Sequence, residues 1–233
     1  MNTFASEASQ VDTPSNLASR RVADQLKEAI LNGEFLPGAR LFQEELAARF
    51  GGSRLPVREA LRTLQSEGLI VQRPNHGAWV TRLSMDECIE IYRIRERLEP
   101  MLIADSIERQ NPDDLRAALA LAEKMDAAET IDEYFTYDRE FHLASYKSSQ
   151  LLYLYSMVER LWNVTQYYRS AYTRLVDDQG SRWILDHEHR LLADAIARRN
   201  VDDAQQLIET HVRRTRVTLA EHPEIFDVEA EGD

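Results

Sequence analysis

A carboxylate and an imidazole one helical turn apart can share a metal ion, and Asp138 and His142 have this spacing. His189 and His211 each continue an apolar or small-residue stripe of a predicted helix, so both imidazoles are expected to point inward. Each residue also has an ordinary explanation. An acid and a histidine at i, i+4 often form a surface ion pair, and a buried histidine often only satisfies hydrogen bonds. The residues alone leave metal binding open.

A second set of residues has the chemistry to contact nucleic acid. Arg54, Arg58 and Arg62 recur every fourth residue, and adjacent guanidinium groups repel one another unless they meet negative charge. Phosphates and base edges would satisfy them. A neighbouring stripe of the same segment is apolar and predicts a buried face, made of Val57, Ala60, Leu61 and Leu64. One short helix therefore has a structural face and a basic face.

The start of this helix is marked by the residues before it. Ser53 is expected to cap the helix with its side chain, and Pro56 is tolerated because the first amides have no intrahelical partner. Residues 42–50 predict a preceding helix, and Gly51 and Gly52 predict the turn between the two. The pattern is a helix-turn-helix.

The residues after this helix predict a β-hairpin. Gly68 ends the helix, and residues 69–73 and 78–82 predict two strands. Residues 74–77, Pro-Asn-His-Gly, predict the turn between them. Together with the two helices, the hairpin predicts a winged helix-turn-helix domain.

Five short motifs in this region resemble the N-terminal domain of GntR-type bacterial transcription regulators. They are PGARL at 37–41, ELA at 45–47, SRLPVREAL at 53–61, EGL at 67–69 and GAWV at 77–80. They follow the family's order over residues 17–82, and such agreement is more specific than any one motif. The resemblance implies a set of DNA-binding residues: Arg40, Ser53, Arg54, Arg58, His76 and Gly77.

Within that set, each part of the domain has its own expected role. Arg54 and Arg58 are expected at bases or phosphates, and Arg40 at the DNA backbone. His76 and Gly77 are expected at the tip of the wing, in the minor groove.

Two of these residues have alternative explanations, and two other positions depart from the family pattern. Arg40 could instead pair with Glu44, and His76 could be an ordinary turn residue. Gly52 stands where the family usually has valine, which is expected to loosen the turn. Leu55 stands where threonine is common, which removes a hydroxyl that could reach DNA and alters the expected base preference.

Charge is distributed unevenly along the chain, whose formal net charge is −12. Residues 17–82 hold 10 basic and 7 acidic side chains, whereas residues 83–233 hold 18 basic and 31 acidic ones. The basic excess lies where the DNA-binding motifs lie, and the local field governs contact with phosphates. Residues 1–16 are polar and without periodicity, which predicts a flexible tail.

Composition favours a cytoplasmic protein. No apolar run is long enough to span a membrane, and the N-terminus lacks the pattern of a secretory signal. The single cysteine, Cys88, cannot form an internal disulfide. A cytoplasmic location is therefore expected.

Beyond Leu83 the helical periodicity is nearly continuous and predicts an all-α domain at 83–222, followed by an acidic tail at 223–233. Six helices are expected, at about 85–109, 112–128, 131–148, 151–176, 181–199 and 201–220. Asn111 and Asn200 are expected to cap two of them. The fold class is therefore mainly α, with a winged helix-turn-helix followed by a six-helix bundle.

This second domain resembles the FadR-type C-terminal (FCD) ligand domain. The motifs are DREFH at 138–142, EHRLL at 188–192 and the late histidine at 211. In the metal-containing branch of that subfamily the matching residues bind a divalent ion, which implies a ligand set here of Asp138, His142, His189 and His211. This donor set suits Zn, Ni, Mn or Fe. His187 is expected to point elsewhere, and His222 to be solvated.

The resemblance also implies an effector site beside the metal. Four protein ligands leave positions open for oxygen atoms of a small carboxylate or sugar acid. Arg95 matches a family position that grips an acid group, although it could simply pair with Glu99. A polar stripe on one helix, Asn163, Tyr167, Ser170 and Arg174, could line the same cavity or face solvent.

These inferences predict a homodimeric regulator, most simply a repressor, that binds a twofold-symmetric DNA operator and responds to an acid bound at the metal. A regulator that senses the metal itself is the main alternative. A helical-bundle metalloenzyme would need a general acid or base at the metal. Glu140 and Glu188 adjoin ligands in sequence but are expected to point away from them, so no enzyme is predicted.

Overall fold

The computed structural model describes residues 14–51, 53–74 and 76–228, and the chain divides after Thr81 into two compact units. The predicted turn residues Gly52 and Asn75 lie outside the described residues. The same is true of residues 1–13 of the predicted N-terminal tail and 229–233 of the acidic tail.

The N-terminal unit contains three helices and three short strands in its described part. They are α1 (Pro14–Leu31), β1 (Arg40–Leu41), α2 (Gln43–Phe50), α3 (Arg54–Ser66), β2 (Ile70–Arg73) and β3 (Gly77–Val80). Helix α1 begins at Pro14, so residues 14–16 belong to a helix and not to the predicted tail. Proline suits this position because the first helical amides have no partner to lose.

Helix α3 has the two faces that its sequence predicts. Val57, Ala60, Leu61 and Leu64 are fully buried, and each larger side chain contributes about 1.5–3 kcal/mol by leaving water. Ser53 is the N-cap residue, but its side chain accepts no capping hydrogen bond, which corrects the expected role. Instead its backbone carbonyl accepts the first helical bond, from the amide of Val57.

The wing is an antiparallel sheet of order β1-β3-β2. Arg40 of β1 lies opposite Trp79 of β3, and Gln72 of β2 lies opposite Ala78. The hairpin was predicted, whereas β1 is too short to show a sequence period. Because β1 pairs with β3, Arg40 lies directly beside the β2–β3 hairpin.

In the C-terminal unit six helices lie within three residues of their predicted bounds. They are α4 (Met85–Arg109), α5 (Pro112–Asp126), α6 (Ile131–Ser145), α7 (Leu152–Asp178), α8 (Arg182–Ala197) and α9 (Val201–Glu221). Asn111 and Asn200 cap α5 and α9 through their side chains, as expected. No helix in the described residues is both long and apolar enough to cross a membrane.

The segment after α9 packs against the bundle and is not simply an acidic tail. Pro223–Phe226 forms a 3-10 helix, and Phe226 is buried and stacks on Tyr168 with ring centroids 4.9 Å apart. The Tyr168 hydroxyl also bonds the backbone of Leu83. One tyrosine of α7 therefore anchors two segments that flank the bundle.

Asp105 joins α4 to the connection between α6 and α7. Its carboxylate accepts hydrogen bonds from the Ser149 hydroxyl (2.7 Å), the Gln150 amide (2.8 Å) and Arg109 Nε (2.8 Å). Partial burial raises the pKa of Asp105, but these three donors outweigh it and hold the pKa below 3.8. A carboxylate with a depressed pKa stabilises the fold when it is ionised.

Replacing Asp105 with alanine is expected to lower the free energy of unfolding by about 1–2 kcal/mol at pH 7. Because the folded-state pKa is depressed, this contribution is full above about pH 5 and fades as the pH falls below about 4. Urea denaturation at pH 7 and pH 3 measures both values. Asp113→Ala is the control, since that carboxylate is 84% exposed and should change stability by less than about 0.5 kcal/mol. An equal effect of the two substitutions would contradict the proposed role of Asp105.

Candidate functional site

The basic face of α3 is exposed, and its arginines contact glutamates. Arg54 pairs with Glu44 of α2, and Arg62 Nη1 lies 3.0 Å from the Glu59 carboxylate. Arg58 Nε is 3.9 Å from the same carboxylate. Exposed ion pairs are worth at most about 1 kcal/mol, so a polyanion can displace them. The arginines therefore meet negative charge within the protein but remain available to DNA.

The predicted wing residues lie together at the tip of the hairpin. Arg40 donates from Nη2 to the backbone oxygen of His76 (3.1 Å), and it does not pair with Glu44. His76 and Gly77 are exposed, and Gly77 has φ +123°, a backbone conformation that disfavours other residues. The contact with Arg40 holds the turn from which His76 projects.

One basic residue of the wing was missed by the sequence reasoning. Arg73 is exposed at the end of β2, with its guanidinium 5.3 Å from the centre of the Trp79 ring. Arg40 lies 5.7 Å from the same ring. The signal was available, because Arg73 immediately precedes the predicted turn.

A groove of about 450 Å³ lies beside the first turn of α2, and Arg40, Arg54 and Gly77 line it together with Glu44 and Glu45. Arg54 pairs with Glu44 in this groove, and a phosphate backbone could displace that exposed ion pair and meet both arginines. The geometry thus brings three of the six predicted DNA-binding residues to one place.

The four predicted metal ligands converge inside the C-terminal unit. One ligand atom from each of Asp138, His142, His189 and His211 lies within 4.8 Å of the others. Asp138 Oδ1 is 3.0 Å from His189 Nε2 and 3.6 Å from His142 Nε2. Two donors bonded to one ion at about 2.0–2.2 Å lie about 3.0–3.6 Å apart, which matches these distances.

Hydrogen bonds to the far side of two histidines orient the lone pairs toward this point. His189 Nδ1 is 2.8 Å from the backbone oxygen of Leu185, which can only accept, so Nδ1 carries the proton and Nε2 the lone pair. His211 Nδ1 is 3.0 Å from a carboxylate oxygen of Glu188. Such partners fix the tautomer of metal-binding histidines. Glu188 was expected to point away from the ligands, but it reaches from α8 to α9 and contacts one.

The charge states in the cluster also suit a cation. Burial lowers the pKa of His142 well below 6.5, which keeps its ring neutral and able to bind a metal. Burial also raises the pKa of Asp138, but the guanidinium of Arg169, 2.8 Å away, and the neighbouring histidines hold it well below 3.8. The cluster therefore offers three imidazole nitrogens and one ionised carboxylate oxygen, and the donor set fits a divalent metal ion.

Two arginines beside the cluster were missed by the sequence reasoning. Arg169 is buried, bonds Asp138, and lies 3.9 Å above the centre of the Trp162 ring. Arg139 donates to the amide oxygens of Gln166 (3.1 Å) and Asn163 (2.6 Å). Burial, together with the charge of Arg169, lowers the pKa of Arg139 to about 10. A charged residue at an inward position of the apolar helix α7 was the signal for Arg169.

Arg95 is buried and already has partners. Its Nε lies 2.6 Å from Glu99 Oε1, its Nη1 donates to Thr165 (3.1 Å), and Tyr146 donates to the second Glu99 oxygen (2.6 Å). The intrahelical pair with Glu99, considered from the sequence as the alternative, is therefore formed. Arg95 still lies near the cluster, since its guanidinium stacks 4.5 Å from the Trp162 ring centre.

The polar stripe of α7 does not face one cavity. Asn163 is buried and accepts from Arg139, whereas Tyr167 is partly exposed beside Tyr168. Arg174 is exposed and pairs with Asp132 at 2.5 Å. Arg174 lies about 16 Å along the helix axis from Asn163, where it pairs with Asp132 of the first turn of α6, so the structure does not bring these two predicted effector residues together.

A cleft of about 280 Å³ reaches the cluster, and Tyr134 and His189 line it. Glu123, Asp126 and Asp186 line it, with Arg190 as the cation among its lining residues. Arg190 is already paired with Asp126. The acidic lining of this cleft disfavours an anion.

The fold and these two sites define a class of protein: a winged-helix DNA-binding regulator with a helical ligand domain. Two family models match the chain, "Bacterial regulatory proteins, gntR family" over residues 18–80 and "FCD domain" over residues 90–214. The chain therefore belongs to the GntR family of bacterial regulators and carries an FCD domain.

Individual relatives agree with this assignment. The HTH-type transcriptional regulator YdhC of Bacillus subtilis (strain 168) is 30% identical over 193 residues, which are 81% of this chain and 84% of that protein. The HTH-type transcriptional repressor GlaR of Escherichia coli (strain K12) is 27% identical over 201 residues, 80% of this chain and 89% of that protein. The solved structure of E. coli McbR/YncC has a TM-score of 0.73 at 26% identity, covering 88% and 98% of the two chains. The protein is thus a DNA-binding transcription regulator and not an enzyme.

Proposed function

We propose that this regulator changes its affinity for an operator when a small organic or sugar acid binds at a divalent metal in the C-terminal unit. The ligands of the metal would be Asp138, His142, His189 and His211. The observation that carries the proposal is the convergence of these four side chains, three of them buried, within 4.8 Å. Arg169 balances the charge of Asp138, but imidazole nitrogens that converge in a buried cluster also need a shared partner, because buried polar atoms without one cost free energy.

The charge beside the cluster supports an anionic effector. When bound, the metal supplies positive charge and coordination positions for oxygen ligands. Arg139 and Arg169 add two guanidinium groups, of which Arg169 is neutralised by Asp138. Arg139 interacts electrostatically with Glu159, but both of its hydrogen bonds among the described residues go to neutral amide oxygens. A carboxylate could replace those amides and form a charge-assisted, bidentate contact.

Regulation follows if the protein acts on DNA as a homodimer, which we also propose. A dimer places two α3 helices against the two halves of a twofold-symmetric operator. An acid that binds one conformation of the dimer more tightly than another shifts DNA affinity by that difference in free energy. We propose release of the operator, and hence relief of repression in the cytoplasm. One relative, GlaR, is named a transcriptional repressor.

The proposal is tested with the full-length protein loaded with Zn²⁺, Ni²⁺, Mn²⁺ or Fe²⁺ in turn. Thermal-shift screening against a panel of small carboxylates and sugar acids should identify one that stabilises the metal-loaded protein. An acid present at about 100 times its dissociation constant adds about 2.7 kcal/mol. We expect the shift to disappear when a chelator removes the metal. A panel of acids that stabilises chelated protein equally would contradict a role for the metal in binding.

Operator binding then separates the proposal from a regulator that senses metal itself. The acid should weaken operator binding at constant metal, and adding metal alone should change it little. If metal addition and chelation switch binding while every acid is inactive, the protein is a metal sensor.

A further inference from the structure

We infer that Leu55 determines part of the operator sequence by contacting the 5-methyl group of a thymine in the major groove. The inference rests on the DNA-binding function of this domain and on α3 as the helix that enters the groove. Leu55 is the second residue of α3, and the N-terminal residues of such a helix are the ones that reach base edges.

The orientation of Leu55 follows from helix geometry. At about 100° per residue, the buried stripe made of Val57, Ala60, Leu61 and Leu64 occupies one side of α3. Leu55 lies about 170° from the centre of that stripe, compared with about 110° for Arg58. Its side chain is 50% exposed. Leu55 therefore points almost directly away from the core, with exposed arginines beside it.

Folding does not explain an aliphatic side chain at this position. A single exposed leucine on a protein surface is ordinary, so its exposure alone has no functional meaning. Its location has meaning, because the residues around it are charged or polar: Ser53, Arg54, Arg58, Glu59 and Arg62. An apolar side chain at the outermost point of a basic face will be pressed against whatever the arginines bind.

The chemistry of base edges then selects the partner. In the major groove every base pair offers hydrogen-bond donors or acceptors, and the thymine methyl is the apolar group among them. Leucine can neither donate nor accept, so placing it against a cytosine or purine edge would desolvate a polar group without compensation. Against a thymine it buries a methyl group instead. The preferred thymine should adjoin the base pairs that Arg54 or Arg58 contact.

The test removes one methyl group and leaves every hydrogen bond of the base pair intact. Specific sites are first selected from random duplexes with the full-length protein, and each thymine is then replaced singly by deoxyuridine. Affinities are measured at one salt concentration by fluorescence anisotropy. We expect one thymine in each half-site whose replacement weakens binding about fourfold, the value for losing one buried methyl.

Two variants make the assignment to Leu55. Leu55→Ala should bind the thymine and deoxyuridine duplexes equally, and should bind the deoxyuridine duplex about as tightly as the parent does. That second result also shows that the variant is folded. Leu36→Ala is the matched control, since Leu36 is a 38% exposed leucine of the same unit outside α3. It should keep the fourfold difference.

Three outcomes would overturn parts of the argument separately. If no thymine in a specific site is sensitive, or if sensitivity persists in Leu55→Ala, Leu55 does not read a methyl group. If the parent fails to prefer any selected duplex over random DNA, sequence-specific binding itself fails.

Discussion

His189→Ala is expected to abolish metal binding, and with it any thermal shift caused by an acid. His189 Nε2 lies 3.0 Å from both His142 Nε2 and Asp138 Oδ1, so it is the ligand with the closest contacts to the others. Its removal leaves three donors and a cavity in the buried cluster. We expect the metal content of the purified protein to fall from about one ion per chain to less than about one-tenth. Elemental mass spectrometry of protein dialysed against metal-free buffer measures this.

The matched control is His187→Ala, a histidine on the same helix two residues away. His187 is exposed, and its Nδ1 lies 2.7 Å from the backbone oxygen of Trp183. This variant should keep the full metal content and the acid response. Both variants should still bind operator DNA, because the contacts with DNA lie in the other unit. Normal metal content in His189→Ala, or equal loss in both variants, would contradict the proposed ligand set.

The sequence predicted the helices of the C-terminal unit well, because their signals are local. Asn111 and Asn200 cap helices through bonds to amides two or three residues away. The four metal ligands were also predicted together, but only through the resemblance to the FCD domain. Spacing alone related Asp138 to His142, since they lie on one helix. His189 and His211 come from α8 and α9, and no periodicity within one helix reveals contacts between helices.

The residues that were missed or misplaced depend on packing that sequence periods do not report. Arg139 of α6 donates to side-chain amides of α7, and Arg169 of α7 donates to Asp138 of α6. The role of each arginine therefore depends on contacts with another helix. Arg174 was placed with Asn163 because they share a stripe, but the two residues lie about 16 Å apart along the helix axis, so a common face does not give a common cavity. Phe226 packs on Tyr168 across more than fifty residues of sequence. The acidic composition of the C-terminal segment gave no indication of this contact.

The DNA-binding unit shows the same limit in a different form. The buried stripe of α3 follows directly from its 3.6-residue period, and it was confirmed at all four positions. The predicted capping hydrogen bond of the Ser53 side chain is absent, because that bond depends on the side-chain rotamer. Glu44 was considered as a partner of Arg40 but pairs with Arg54. Glu44 could pair with either arginine on the basis of charge. The distance between α2 and α3 decides the partner, and the sequence does not contain that distance.

Arg58→Ala is expected to weaken binding to the selected operator by about 5- to 150-fold, the range for an arginine that contacts a base or phosphate. In the free protein the Arg58 side chain is 54% exposed, and its nearest carboxylate, that of Glu59, is a weak contact at 3.9 Å. The free energy of unfolding should therefore change by less than about 0.5 kcal/mol. The two possible roles differ in their signatures. Loss of a base contact relaxes specificity at one position, whereas loss of a phosphate contact weakens all sequences and reduces the salt slope by about one.

The control for this substitution is Arg116→Ala, which removes the same charge from an arginine that is 71% exposed on α5. Both variants have the same net charge, so a general electrostatic effect would weaken DNA binding equally in both. We expect the Arg116 variant to bind the operator like the parent, with unchanged salt dependence, because Arg116 belongs to the C-terminal unit, which holds none of the proposed DNA contacts. Metal content should be normal in both. Equal losses in the two variants would mean that α3 contributes only charge, and the basic face would then not recognise a sequence.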